Sequence, residues 1–326
     1  MPLDWAPFID FVRRRDRFFL TTHVRPDADG LGSVQALGEA LESLGKKVDR
    51  VIPSRIPPQY EFLDPDRRIS VFAPPGDQWR PCDALIVLDT GTWNQLADVG
   101  PFVRTFAGEK AVIDHHGTSD DLGAVRFVNV GAESTGRLAA EAIQSLGVTL
   151  TPTMAANLLA AVATDTGWFR HPSTTKETFA LASELVAAGA RVTPIFEAIY
   201  ETNTLPRLKL RSRALDRVTL AAENRIAYSW IRLADYQETG AVPSDTEDMI
   251  NMFAGLDGAE VRLLFIEQRE GGVKVSFRAR TFNVAKIAEQ FGGGGHKLAA
   301  GATVPGPFEV ARDRVLKAAE DAVLRA

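Results

Sequence analysis

Short apolar runs alternate with helical patterns through the first part of the chain, and several of those runs stop at an aspartate or a histidine. The runs are FFLTTHV (18–24), KVDRVIP (47–53), ALIVLDT (84–90), AVIDHH (111–116) and VRFVN (125–129). Between and after them lie GSVQALGEALESLG, STGRLAAEAIQSLG and PTMAANLLAAVATDTG, with apolar residues at three- and four-residue spacing. That spacing marks helices with one buried face. Strands separated by helices must cross over, so the alternation dictates a mostly parallel sheet flanked by helices. Near-continuous Val, Ile and Leu suit strands covered on both faces. TKETFALASELVAAGA closes this half, and the expected catalytic domain spans 1–195.

At 326 residues the chain is long for a single core, and a second domain is expected. Residues 196–217, with the polar and basic TNTLPRLKLRSRALDR, are expected to be a linker or connecting helix. Arg207, Lys209, Arg211 and Arg213 there read as a solvated face. From 218 to 326 the rhythm changes. VTLAAENRIAYSWIRL and VRLLFIEQREGGVKVSFRAR each read as two strands about a tight turn, the second at Gly271-Gly272. DTEDMINMFAGL and NVAKIAEQF read as helices, giving a smaller α+β domain with antiparallel strands.

The strand ends carry the chemistry. FFLTT runs into His23 and then Asp27 and Asp29, ALIVL ends at Asp89, and AVI ends at Asp114, His115 and His116. The carboxyl ends of parallel strands share one edge, where ligands of open α/β sheets bind. Asp165 ends the helical pattern of ATDTG and can reach the same edge. The chain holds five histidines, and three of them lie at these strand ends. Such carboxylate and imidazole donors without thiolate suit two divalent cations bridged by one carboxylate, Mn²⁺ or Mg²⁺ first, with Fe²⁺ and Zn²⁺ left open. Two such ions can generate a hydroxide and neutralise charge on a phosphoryl group. Asp27 and Asp29 could each serve a different ion, Gly30 and Gly32 would permit the turn that aims them, and Ser33 is the expected N-cap of the following helix.

Taken singly, DADG is more often a turn and DHH is weak; the convergence of four segments on one edge decides for a site. The paired DTG triplets at Asp89 and Asp165 also occur in aspartic proteases, but those are all-β, and that reading leaves HVRPDAD and DHH unexplained. No P-loop is present, and GLGSVQ lacks the third glycine of a dinucleotide fingerprint.

In the second domain, FGGGGHKLAAG places four glycines before His296 and Lys297. So much glycine lets the backbone approach a ligand closely and offer N–H groups to an anion. Arg278 in SFRAR could grip a phosphate or stack on a base. Substrate is therefore expected in a cleft between the domains. A net charge of −5 argues against a broad surface for duplex DNA. No apolar stretch approaches the ~20 residues that span a bilayer. The N-terminus lacks the pattern of a secretory signal. The single cysteine, Cys82, reads as a buried structural thiol and fits a reducing cytoplasm.

Together HVRPDADGLGS, VLDTG, IDHHGT and ATDTGWF, followed by SFRAR and FGGGGHKLAAG, resemble the DHH family of phosphoesterases with its DHH-associated C-terminal domain. Within it, the compact length resembles the bacterial nanoRNase/3′-phosphoadenosine 5′-phosphate phosphatase group. The resemblance implies His23, Asp27 and Asp89 on one Mn²⁺ and Asp29, Asp89, His115 and Asp165 on the other, with Asp89 as the bridge. It implies that Asp114 orients His115 and that His116 sits near the phosphate. Arg278, Gly294, Gly295 and His296 would hold the rest of the substrate, with Ser33 and Lys297 as further contacts. The implied substrates are short RNA oligonucleotides and 3′-phosphoadenosine 5′-phosphate. Hydrolysis of cyclic or linear dinucleotide messengers is the alternative, a non-catalytic nucleotide-binding regulator stands behind it, and a homodimer is left open.

Overall fold

Six strands of the N-terminal unit run parallel: β1 (Arg17–Thr21), β2 (Lys47–Ile52), β3 (Ile69–Val71), β4 (Ala84–Leu88), β5 (Glu109–Asp114) and β6 (Val125–Val128). This computed structural model describes residues 3–325, and the side chain of His296 lies outside the described residues. The strands pair in the order β3-β2-β1-β4-β5-β6. Thr21 stands beside Val87 and Leu88 beside Ile113, and continuing that register past the strand ends sets His23, Asp89 and Asp114 level at one edge. Because the chain leaves β1 in one direction and returns at β4 to go the other way, that edge lies at a topological switch point. The sequence did not announce β3, which is three residues long and mostly exposed.

Alternation along the strands feeds two cores. Phe18, Leu20, Ile86, Leu88 and Ile113 face the helices Ala28–Ser43, Thr135–Ser145 and Pro152–Asp165, meeting Leu31, Leu37, Leu138 and Leu158. Phe19, Leu85, Val87 and Val112 face the other way, onto Phe72, Trp79 and Phe102. Each fully buried side chain of this size contributes roughly 1.5–3 kcal/mol. Cys82 belongs to the second cluster, and burial beside Asp49 pushes its thiol up to about 12.

Contacts divide the chain after Thr202, and the second unit begins at Asn203. Its strands are β7 (Thr219–Ala221), β8 (Ile226–Ile231), β9 (Val261–Glu267), β10 (Val273–Ala279), β11 (Gly294–His296) and β12 (Ala299–Val304), in the order β11-β12-β10-β9-β8-β7. The sheet is mixed rather than antiparallel throughout, because β8 and β9 pair in parallel. The connection between them holds the helix Leu233–Thr239 and 3₁₀ turns at Pro243–Thr246 and Met249–Phe253, where one α-helix was expected. Within the stretch expected to be a linker, Leu205–Asp216 is a helix that buries Leu210 and Ala214 against this sheet. On the other sheet face, Phe308–Leu324 buries Phe308, Ala311, Val315, Ala319 and Val323 at helical spacing. Among the described residues no single helix is long and apolar enough to cross a membrane.

Candidate metal centre

Asp27 is the N-cap of the helix Ala28–Ser43: its Oδ1 accepts from the Asp29 N–H at 3.0 Å and the Gly30 N–H at 3.2 Å. A carboxylate there satisfies donors that the helix leaves unpaired. Asp29 lies in the first turn, almost fully buried. Asp89 follows β4 at φ 63, in the left-handed region that costs a non-glycine residue roughly 1–2 kcal/mol, and its N–H donates to the Ile113 carbonyl at 3.0 Å. Asp114 closes β5 ahead of His115 and His116, and Asp165 closes the helix Pro152–Asp165.

These residues meet. His23 Nε2 lies 3.6 Å from Asp27 Oδ1 and 3.4 Å from Asp89 Oδ2. His115 Nε2 lies 3.8 Å from Asp29 Oδ2, 3.7 Å from Asp89 Oδ1 and 3.4 Å from Asp165 Oδ2. Ligand atoms fall into three groups within 4.8 Å of one another: His23, Asp27 and Asp89; Asp29, His115 and Asp165; and Asp89, His115 and His116. Asp89 is shared by the first and third groups and His115 by the second and third, with one Asp89 oxygen toward His23 and the other toward His115.

Charge in the cluster is unbalanced. Burial, then the neighbouring charges of Asp89, Asp165 and Asp27, hold the Asp29 carboxyl well above the usual carboxylate range. Burial and the same kind of crowding push Asp165 up to about 6, against the pull of His115. Asp27 goes the other way: burial disfavours its charge, but bonds from His23 and the helix N–H groups outweigh that. His23 is likewise disfavoured by burial, yet Asp27 and Asp89 push it up to about 11. Carboxylate crowding that protein cations do not neutralise, with imidazole and no thiolate, fits divalent metal ions.

Three details differ from expectation. Ser33 is not the N-cap; it sits fully buried inside the helix that Asp27 caps, with Oγ unpartnered. Gly30 and Gly32 are helical too, and serve close packing rather than a turn: a Cβ on Gly30 would stand 2.3 Å from Thr22 Oγ1, and one on Gly32 2.3 Å from the Asn157 carbonyl oxygen. Asp114 orients His116, not His115. Its Oδ1 accepts from the His116 backbone N–H at 3.1 Å and meets His116 Nδ1 at 2.8 Å. His115 Nδ1 instead meets the Ala132 carbonyl at 3.2 Å. Donation of the His116 ring N–H to Asp114 outweighs burial and pushes His116 up to about 9.

Thr135 and Gly136 were overlooked. Their backbone N–H groups donate to Asp29 Oδ2 and Oδ1, both at 2.7 Å, and Thr135 Oγ1 donates to Asp89 Oδ1 at 2.9 Å. The signal was present in ESTGRL: Ser134 caps the helix Thr135–Ser145, and a capped helix start aims N–H groups at an anion.

In the second unit Arg278 is half-buried on β10, and its Nη1–H donates to the Phe277 carbonyl at 3.0 Å. Burial lowers its pKa, partly offset by Asp248. Of the four consecutive glycines, three have local reasons. Gly292 takes φ 71 just past the helix Ala285–Glu289, and Cβ atoms on Gly293 and Gly295 would lie 2.2 and 2.5 Å from the Gly301 and Ala299 carbonyl oxygens of β12. A Cβ on Gly294 meets nothing within 4 Å. Lys297 is exposed.

Residues 17–164 match the family model described as DHH family, N-terminal domain, and residues 223–324 match the DHHA1 domain. A Thermus thermophilus protein named bifunctional oligoribonuclease and PAP phosphatase NrnA is 32% identical over 318 residues, covering 94% of this chain and 90% of its own. A Bacillus subtilis protein of the same name is 28% identical over 293 residues, covering 89% and 90%. The fold also matches a crystal structure from Bacteroides fragilis, described as an exopolyphosphatase-related protein, with TM-score 0.92 at 23% identity over 98% of this chain and 97% of that one. A two-lobed all-β protease is overturned by the parallel sheet and by Asp165 ending a helix.

Proposed function

The chain belongs to the DHH family, its DHH domain followed by a DHHA1 domain, and on that premise we propose that it hydrolyses very short oligoribonucleotides and 3′-phosphoadenosine 5′-phosphate to mononucleotides. The observation that carries the chemistry is the meeting of His23, Asp27, Asp29, Asp89, His115 and Asp165 at one sheet edge. The substrate class is drawn from the named relatives, which align over nearly their whole length.

In this reading His23, Asp27 and Asp89 hold one divalent cation and Asp29, Asp89, His115 and Asp165 hold a second, with Mn²⁺ favoured by the mixed oxygen and nitrogen donors. Such cations would supply Lewis-acid activation of water and neutralise charge on the phosphoryl group. The chain's own residues do the rest. Asp114 holds His116 by Nδ1 and leaves the opposite edge of a half-exposed ring to face substrate. A ring pushed up to about 9 carries a proton at neutral pH and can give it to an oxygen of the phosphate or of the leaving group. Arg278, Gly294, Gly295, His296 and Lys297 are assigned to the substrate's other phosphate or base. Buried Ser33 is withdrawn from that set. A cytoplasmic location fits the family reading.

Purified protein with Mn²⁺ should be offered 3′-phosphoadenosine 5′-phosphate, pApA, cyclic di-AMP and 2- to 5-mers of RNA. Turnover of the bisphosphate and the shortest oligomers is expected. Turnover of cyclic di-AMP alone would move the assignment to messenger hydrolysis, and turnover of nothing would leave a nucleotide-binding regulator.

A further inference from the structure

Thr135 touches two of the acids at once, and it does so from the first turn of a helix. The residue is fully buried, Asp29 is 1% exposed and Asp89 3% exposed, so no water screens these contacts. The backbone N–H groups of Thr135 and Gly136 take one oxygen each of Asp29, both at 2.7 Å, and fix the plane of that carboxylate. The Thr135 hydroxyl donates to Asp89 Oδ1 at 2.9 Å, while Asp89 Oδ2 faces His23 Nε2 at 3.4 Å. A carboxylate anchored on one oxygen cannot rotate about its terminal bond without breaking that hydrogen bond. Anchoring therefore keeps its two oxygens addressed to two different groups of ligands.

The space around the anchor is closed. A Cβ on Gly136 would come within 2.5 Å of Ala161 Cβ and 3.2 Å of Asp29 Oδ1, so the helix start sits hard against Asp29 and the helix Pro152–Asp165. The cap holds this position too, with Ser134 Oγ accepting from the Arg137 N–H at 3.1 Å.

We propose that Thr135 is a positioning residue for the paired-cation site: its hydroxyl locks the bridging orientation of Asp89 while its backbone N–H locks Asp29. This rests on the metal reading of the site given above. Outer hydrogen-bond partners of metal ligands commonly govern affinity by 10–100-fold.

The test is Mn²⁺ binding by titration calorimetry, with Mn²⁺ alone as probe, on wild type, Thr135→Val and Thr135→Ser, alongside thermal unfolding in EDTA. Thr135→Val, which keeps shape and the backbone N–H but removes the hydroxyl, should bind Mn²⁺ about 10–100-fold more weakly, and Thr135→Ser should restore wild-type binding. At saturating Mn²⁺ the valine variant should show reduced kcat with KM nearly unchanged, since no substrate contact is lost. A valine isotherm equal to wild type overturns the proposal, as does a serine variant no better than valine. If Thr135→Val does not fold, Thr135→Ala takes its place; should neither fold while Thr135→Ser does, Thr135 is a stability residue and the proposal falls. A wild type that binds no Mn²⁺ would instead remove the metal reading itself.

Discussion

Asp89 faces His23 with one carboxylate oxygen, Oδ2 lying 3.4 Å from His23 Nε2, and turns the other oxygen toward His115. A single residue at the end of a central strand thus stands between imidazoles carried at the ends of β1 and β5. Asp89→Asn keeps the shape, and asparagine tolerates φ 63, so the fold should persist. If Asp89 bridges two cations as proposed, Mn²⁺ stoichiometry should drop below that of wild type and activity should fall by more than ~100-fold. Calorimetry and phosphate release read both.

Under the proposed function, the link between Asp114 and His116 makes metal holding and proton handling separable by mutation. Asp114→Asn weakens the bond that fixes His116 and so lowers the pKa that Asp114 holds up, while the Ala132 carbonyl still holds His115. The expected result is a kcat lowered by about 10–100-fold, less than the ~100–10,000-fold of a whole general acid–base group because the His116 ring remains, with an unchanged Mn²⁺ isotherm. A weakened isotherm would return Asp114 to the role of orienting His115.

Two neighbouring glycines in the second unit should behave differently. Gly295 sits at φ 144 with the Ala299 carbonyl in the way of a Cβ, so Gly295→Ala should lower stability by about 1–3 kcal/mol, the usual range for such strain. Gly294 has open space, so Gly294→Ala should leave the thermal midpoint in place. If a substrate phosphate approaches the backbone there, the same change raises KM for 3′-phosphoadenosine 5′-phosphate. An unchanged KM would remove Gly294 from the binding set.

Stability at acid pH should depend on Asp235. Burial raises its pKa, but paired hydrogen bonds from Arg217 at 2.5 and 2.8 Å and the Arg232 N–H outweigh burial and leave it below the ordinary value. A depressed folded-state pKa means stabilisation that is present above the unfolded value and is lost as pH falls through the folded one. Thermal midpoints taken from pH 7 downward should therefore converge for wild type and Asp235→Asn, with wild type higher at neutral pH.

Period and punctuation made much of the architecture legible before any coordinates. The run ALIVLD already said buried strand with an acid at its carboxyl end, and the parallel order said that His23, Asp89 and His115 would share an edge. What escaped depended on neighbours distant in sequence. The pairing of β8 with β9 is set by how a crossover packs, and β3 is too short for any period. Gly30 and Gly32 look like turn residues locally, yet Thr22 and Asn157 press against them from other segments. Asp114 directly precedes His115 and stands two residues before His116, and only side-chain direction decided which one it holds. Thr135 escaped because a hydroxyl and two backbone N–H groups carry no charge for a reading that searches for charges.

Acids and imidazoles from four separated segments are proposed to hold two divalent cations, and anomalous diffraction at the manganese edge, from crystals grown with Mn²⁺, would locate those ions. Two peaks should appear, one within ligand reach of His23, Asp27 and Asp89, the other of Asp29, Asp89, His115 and Asp165. No peak at this edge, or ions bound only elsewhere, would contradict the proposal.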